Sequence, residues 1–115
     1  MSMNVNISRG GDSLTPIVYN TVLAEDTGTA VELNPATSKV FFRSLATVGD
    51  VYVTFGTSEA NAIANLDIAG GIKGVLLITA TNSANTILLD VPKGATHYAV
   101  YNSVGSMSVS VTEGI

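Results

Sequence analysis

Apolar and polar positions alternate along most of this chain. The pattern is clearest in Ser106-Met107-Ser108-Val109-Ser110-Val111-Thr112, where every second residue is apolar and the others carry hydroxyls. A period of two gathers the apolar side chains on one side of a strand, so this segment predicts one face on a core and one in water. Further strands are predicted at Pro16–Ala24, Thr29–Leu33, Lys39–Leu45, Asp50–Phe55, Gly74–Ala80, Asn85–Val91 and Ala95–Tyr101, with a shorter one near Asn4–Ser8. Turn chemistry separates them: Asp26-Thr27-Gly28, Asn34-Pro35, Val48-Gly49-Asp50, Thr81-Asn82-Ser83, Pro92-Lys93-Gly94 and Val104-Gly105. Short strands at this spacing predict an all-β fold, a two-layer β-sandwich or jelly roll of about eight short antiparallel strands.

Two segments depart from that rhythm. Ser58–Leu66 carries helix signals, with Ser58 placed to cap and Glu59 to complement the N-terminal dipole. Asn61 and Asn65 are weak helix formers, so the segment reads as a loop holding a single helical turn. Gly70-Gly71-Ile72-Lys73-Gly74 then leads back into the sheet. A faint echo at an offset of 56 places Ala24 on Ala80, Leu33 on Leu89, Val48-Gly49 on Val104-Gly105 and Val53 on Val109. Four strands followed by four strands suit two facing four-stranded sheets. Val75-Leu76-Leu77-Ile78 and Ile87-Leu88-Leu89 are apolar on both faces, which in a two-layer sandwich calls for a partner or a covering loop.

Composition narrows the function. The 115 residues suit one domain, here an N-terminal arm over 1–12 and a single β-sandwich over 13–115. Charged residues are only 12% against 46% hydrophobic, which excludes a solvating disordered chain. A net charge of −4 speaks against a lysine- and arginine-lined nucleic-acid groove, and no nucleic-acid partner is expected. The longest apolar run, Gly74 to Ala80, is too short to span a bilayer, so no membrane partner is expected either. Met1-Ser2-Met3-Asn4 has neither a basic nor an apolar signal region, and no secretory signal is expected. The absence of cysteine removes disulfides, thiol catalysis and cysteine metal sites.

Candidate chemistry is sparse. His97, the single histidine, has no Gly-x-Ser-x-Gly elbow or other local signature to make it part of a triad, and reads as a strand or contact residue. Glu25-Asp26-Thr27, Asp50, Asp67 and Asp90 lie at turns, yet no Asp-x-Asp-x-Asp loop provides calcium-ligand spacing, so they read as turn formers. The glycine-rich segment at Gly70 lacks the Gly-Lys-Ser/Thr ending that grips phosphate. Tyr52, Tyr98, Tyr101, Phe41, Phe42 and Phe55 would form a base-stacking platform only beside a cationic track, and Lys39, Arg43, Lys73 and Lys93 are too scattered to supply one. Packing is their better reading, with an exposed tyrosine row for sugars as the alternative. Asn6-Ile7-Ser8 is a glycosylation triplet only in a secreted context. No catalytic residue, cofactor-binding residue or metal ligand is assigned, no cofactor is expected, and the chain reads as a non-enzyme.

One resemblance adds to this. The run Val51-Tyr52-Val53-Thr54-Phe55-Gly56-Thr57, the corner in Leu89-Asp90-Val91-Pro92-Lys93-Gly94-Ala95-Thr96-His97-Tyr98-Ala99-Val100, and the closing Val109-Ser110-Val111-Thr112-Glu113-Gly114 resemble small virion proteins of tailed bacteriophages, of the capsid decoration or cement type. The resemblance covers about the last two-thirds of the chain and rests on turn and strand patterns. It implies a β-sandwich that is made in the host cytoplasm and ends on the capsid exterior. Its partners would be the major capsid protein and itself, as a dimer or trimer. A tail, collar or fibre-base component is the alternative within the virion, and a carbohydrate-binding sandwich the alternative outside it. In that setting the stretch from Met1 to Asp12, ending Arg9-Gly10-Gly11-Asp12, is suited to lie across a neighbouring subunit. Deleting Met1–Gly11 is predicted to weaken attachment to the shell while the sandwich stays folded. Unchanged occupancy on particles would sink that assignment.

Overall fold

A computed structural model describes residues 13–72, 76–79 and 85–115. The predicted strand near Asn4–Ser8, the 1–12 arm, Asn6-Ile7-Ser8 and Lys73 lie outside the described residues. Eight strands are present: β1 (Pro16–Ala24), β2 (Thr29–Glu32), β3 (Lys39–Ser44), β4 (Asp50–Gly56), β5 (Leu76–Thr79), β6 (Thr86–Asp90), β7 (His97–Asn102) and β8 (Met107–Gly114). They form two four-stranded sheets, in the orders β1-β8-β3-β6 and β2-β7-β4-β5. The predicted all-β sandwich is thus what the chain builds.

The topology follows one rule. β4 pairs with β5, β3 with β6, β2 with β7 and β1 with β8, all antiparallel, as in a single long hairpin. Coiling that hairpin brings β8 beside β3 and β7 beside β4, which closes each sheet. This is a jelly roll. Each sheet therefore takes two strands from each half of the chain.

The core lies between the sheets. Val22, Val40, Phe42, Val51, Val53, Tyr98, Val100, Val109 and Val111 point inward and are buried, each such side chain contributing about 1.5–3 kcal/mol. Phe42 meets Tyr98 edge-on at 5.6 Å between ring centroids and Phe55 at 6.3 Å, so β3 in one sheet grips β4 and β7 in the other. The alternation read at Ser106–Thr112 holds: Val109 and Val111 are buried, while Ser108, Ser110 and Thr112 lie half-buried on the outer face.

The single-turn reading of Ser58–Leu66 is corrected. Glu59–Leu66 forms an eight-residue helix, α1, capped by Ser58, whose Oγ accepts the Asn61 N–H at 3.1 Å. The two asparagines that argued against it anchor it. Asn65 Nδ2 donates to the Phe55 carbonyl at 2.8 Å, and Asn61 Oδ1 accepts the Thr57 N–H at 2.9 Å. Tertiary bonds to the end of β4 thus outweigh weak propensity. α1 lies on the outer face of the second sheet, where Ala62 and Leu66 bury against Ala99 and Tyr101.

Gly56 permits that approach, since a methyl there would collide with the backbone of Ala62. Gly56→Ala is therefore predicted to cost about 1–3 kcal/mol, the usual range for overpacking. Chemical denaturation measures the loss, and amide exchange at Ala62 and Leu66 should quicken with it. An unshifted midpoint would contradict the close packing of helix on sheet.

Candidate interaction surface

The two outer faces differ. On the second sheet, α1 and the short turn at Ile68–Gly70 cover Ala30, Tyr52, Ala99 and Tyr101. On the first sheet no described helix plays that part. Strand register defines its outward rows: Tyr19–Thr112–Phe41–Leu88, then Thr21–Ser110–Arg43–Thr86, then Leu23–Ser108 with Leu45, whose N–H donates to the Ser108 carbonyl. The face mixes large apolar side chains with short hydroxyls. Tyr19 is 75% exposed, Leu23 50% and Leu45 45%, while Phe41 and Leu88 are half-buried.

Charge on this face is confined to one end and one row. Lys39 and Asp90 oppose each other at the β3–β6 end, and Lys39 Nζ donates to the Ser13 carbonyl at 3.1 Å. Arg43 is the other charged residue of these rows. At the opposite end the apolar surface continues over the tip, through Val48 and Val104. The two Val-Gly pairs of the sequence echo meet there. A methyl on Gly49, which has φ of 80°, would stand 2.6 Å from Val104 Cγ2. Asn102 joins the loops by donating to the Val48 carbonyl at 3.3 Å and accepting the Val104 N–H at 2.8 Å.

The dispersed chemical candidates do not converge. Among the described residues no three His, Asp or Glu side chains come together as a metal site would need. His97 stands half-buried at the start of β7, its Nδ1 2.8 Å from Thr96 Oγ1. That hydroxyl donates to the Thr57 carbonyl at 2.9 Å, so the ring tautomer with Nδ1–H completes the chain of bonds. The loop after α1 folds back on its own helix: the Gly70 and Ile72 N–H groups both donate to the Asp67 carbonyl, leaving neither for a phosphate. Tyr52 and Tyr101 pair at 5.9 Å beneath α1 and Tyr98 faces the core, so they form no exposed row.

A groove of about 520 Å³ runs along the sandwich edge between β4 and β6, lined by Phe55, Asn65, Leu89, Asp90 and Pro92. It continues into a smaller one of about 170 Å³ beside Thr57 and Lys93. Among the described residues Asp90 is the titratable residue lining the larger groove and Lys93 the one lining the smaller.

Glu113 escaped the sequence reading. It looks like a solvated residue near the end of the chain, yet it points inward beside Val40 and is 2% exposed. Its Oε1 accepts the Asn34 N–H at 2.7 Å and the Thr37 hydroxyl at 2.8 Å, fastening β8 to the β2–β3 turn. The signal available was its even spacing from Val109 and Val111, which places it on the inward face.

No sequence family's model matches the chain, and no curated protein matches it. Solved structures do. A dTDP-4-dehydrorhamnose 3,5-epimerase from Bacillus anthracis str. Ames, determined with TDP and PPi bound, superimposes with a TM-score of 0.53 at 17% identity. The match covers 90% of this chain, which spans 55% of the epimerase. A Bacillus endospore appendage pilus protein gives 0.47 at 11% identity, covering 96% and 98% of the two chains. PirA gives 0.48 at 14%, covering 83% and 92%. The epimerase likeness supports the sandwich fold and, at that identity, the fold alone. In class, then, this is a jelly-roll domain with one outer face covered by its own helix and one bare among the described residues.

Among the described residues the interior holds one orphan. The Tyr98 hydroxyl is buried and completes no hydrogen bond, although Asn20 stands near it. Burial first, and the nearby Glu113 carboxylate second, push its pKa well above the ordinary 10.0, against a small opposing pull from Asn20. A phenol held neutral in the folded state loses ground once the unfolded chain ionises. Its contribution is constant below the unfolded pKa and becomes a penalty as pH rises above about 10. Tyr98→Phe is predicted to stabilise the protein by up to about 1 kcal/mol at neutral pH, since it removes an unsatisfied polar group. It should also flatten the decline above about pH 10. Thermal melts from pH 7 to 11 read both, and a destabilised variant would mean that the hydroxyl has a partner.

Proposed function

We propose that this chain is a non-enzymatic virion protein of a tailed bacteriophage that decorates the capsid. It binds the outer surface of the shell and clamps neighbouring major capsid subunits. The observation that carries the reading is the outer face of the first sheet, bare among the described residues, with Tyr19, Phe41, Leu88, Leu23 and Leu45 among hydroxyl residues. Apolar surface with few charges is what recurrent protein contacts use. The strand and corner motifs at Val51–Thr57, Leu89–Val100 and Val109–Gly114 support the virion assignment independently of the face.

Size sets the mode of action. Four strands spaced ~4.8 Å apart and rising ~3.4 Å per residue give a face of roughly 19 by 24 Å, or about 450 Å². A standard interface takes about 800 Å² from each partner. A single docking by this face alone is therefore weak, and hold on a shell comes from repetition over many sites and from linkage between copies. The carbohydrate-binding alternative lacks the exposed tyrosine row it requires.

Quantitative mass spectrometry of purified virus particles tests the proposal. Decoration predicts a simple, near-integer ratio of this chain to the major shell protein, and Tyr19→Ser with Leu23→Ser should lower that ratio at least tenfold at equal added protein. A handful of copies per particle would move the protein to a tail, collar or fibre base. Complete absence would overturn the virion reading.

A further inference from the structure

We infer that β1 is a homodimerisation edge, pairing antiparallel with β1 of a second copy about a two-fold axis at Asn20. The inference stands on the strand itself and not on the capsid reading. Among the described residues, the sheet margins β2, β5 and β6 have four, four and five residues, whereas β1 has nine. Along Pro-Ile-Val-Tyr-Asn-Thr-Val-Leu-Ala there is no charged residue. β8 occupies one side of β1, and no described residue pairs with the other.

A long, uncharged, unpaired margin is a template for another strand, and proteins that must stay monomeric blunt such margins with lysine, proline or bulges. Here Pro16 opens the strand and a bulge lies between Pro16 and Val18, both at one end, which leaves Val18–Ala24 regular. The outer face of β1 is open to solvent, while Val22 and Ala24 on its inner face belong to the core. Tyr19 and Leu23 are exposed on the outer face, and Asn20, whose position is inward, is exposed as well.

The strand is self-complementary in a way that selects its occupant. An axis at Asn20 sets Asn20 opposite Asn20 of the second copy. Within the regular stretch Tyr19 then faces Thr21 and Val18 faces Val22. Valine meets valine, and the aromatic ring lies over a β-branched side chain, both favourable cross-strand pairs. A two-fold makes each contact twice, so one strand supplies both halves of the interface. Edge pairing alone buries less than a standard interface, so the dimer forms in a concentration-dependent equilibrium.

The test uses the full chain. Sedimentation velocity over a wide concentration range is expected to show a monomer–dimer equilibrium. Asn20→Lys sets two ammonium groups facing each other on the axis and should weaken dimerisation at least tenfold, with circular dichroism and melting midpoint retained. Because the chain has no cysteine, Asn20→Cys introduces its single thiol. Residues opposed across an antiparallel pair have Cα atoms about 4.5–5.5 Å apart, within disulfide reach. Mild oxidation should therefore convert Asn20→Cys to covalent dimers, while Ser108→Cys, one strand further from the axis, should not cross-link. A wild-type monomer at every concentration overturns the inference, as does a dimer in which Asn20→Cys fails to cross-link. A monomer that dimerises only after residues 1–12 are removed also overturns it, and assigns the edge to the chain's own N-terminal segment.

Discussion

Phe42 meets Tyr98 and Phe55 edge-on across the middle of the molecule, and these contacts set how far apart the two sheets can stand. The remaining core residues that fill the gap are mostly valines, which are stiff and short, so the aromatic cluster fixes the spacing and the valines pack to it. The coiled hairpin requires that anchoring. β3 and β8 lie together in one sheet and β4 and β7 in the other, so the strands carrying Phe42, Phe55 and Tyr98 are the inner strands of the roll. Glu113 sits at the edge of the same interior. Its buried carboxylate fastens the last strand to the β2–β3 turn and, second to burial itself, raises the pKa of the nearby Tyr98 phenol.

A two-layer sandwich has two outer faces, and this chain treats them differently. The second sheet presents Tyr52, Ala99 and Tyr101 outward, which would leave a greasy surface without α1. Gly56 lets the helix backbone touch the sheet, and Asn61 and Asn65 bolt the helix to the end of β4. The first sheet has a similar supply of outward apolar groups, interleaved with serine and threonine. Those hydroxyls keep the face compatible with water while leaving little charge to desolvate when a protein surface covers it. That difference between the faces is the structural basis of the functional reading.

Much of the local architecture was legible in the sequence. Observed strand ends fall close to the predicted ones because alternation and turn residues both act over a few positions. Thr29–Leu33, for instance, becomes Thr29–Glu32, and Lys39–Leu45 becomes Lys39–Ser44. Whatever depended on distant neighbours stayed hidden. α1 was underestimated because Asn61 and Asn65 count against a helix in isolation and favour it only when Thr57 and Phe55 are adjacent. The spacing of Glu113 from Val109 and Val111 marks the inward face, but the partners that make its burial tolerable, Asn34 and Thr37, lie nearly eighty positions earlier. The candidate face was half legible. Leu88 was flagged as apolar on the wrong side, but joining it to Phe41, Thr112 and Tyr19 needs a register that spans four strands.

The proposed edge and the proposed face constrain each other. Antiparallel strands that pair side by side keep corresponding faces on the same side of the sheet. A two-fold at Asn20 would therefore join two first sheets into one eight-stranded sheet and set both Tyr19–Leu88 rows on a common surface. The docking area would double to about 900 Å² by the same strand spacings, close to what one side of a standard interface contributes. Such a surface carries two-fold symmetry, so it fits a partner that repeats with that symmetry better than a lone globular protein. Isologous pairing also consumes the longest margin among the described residues, which closes the assembly at two copies instead of letting strands add without end. The absence of charge along β1 leaves that edge a template for pairing, and a second copy is the occupant that also enlarges the face.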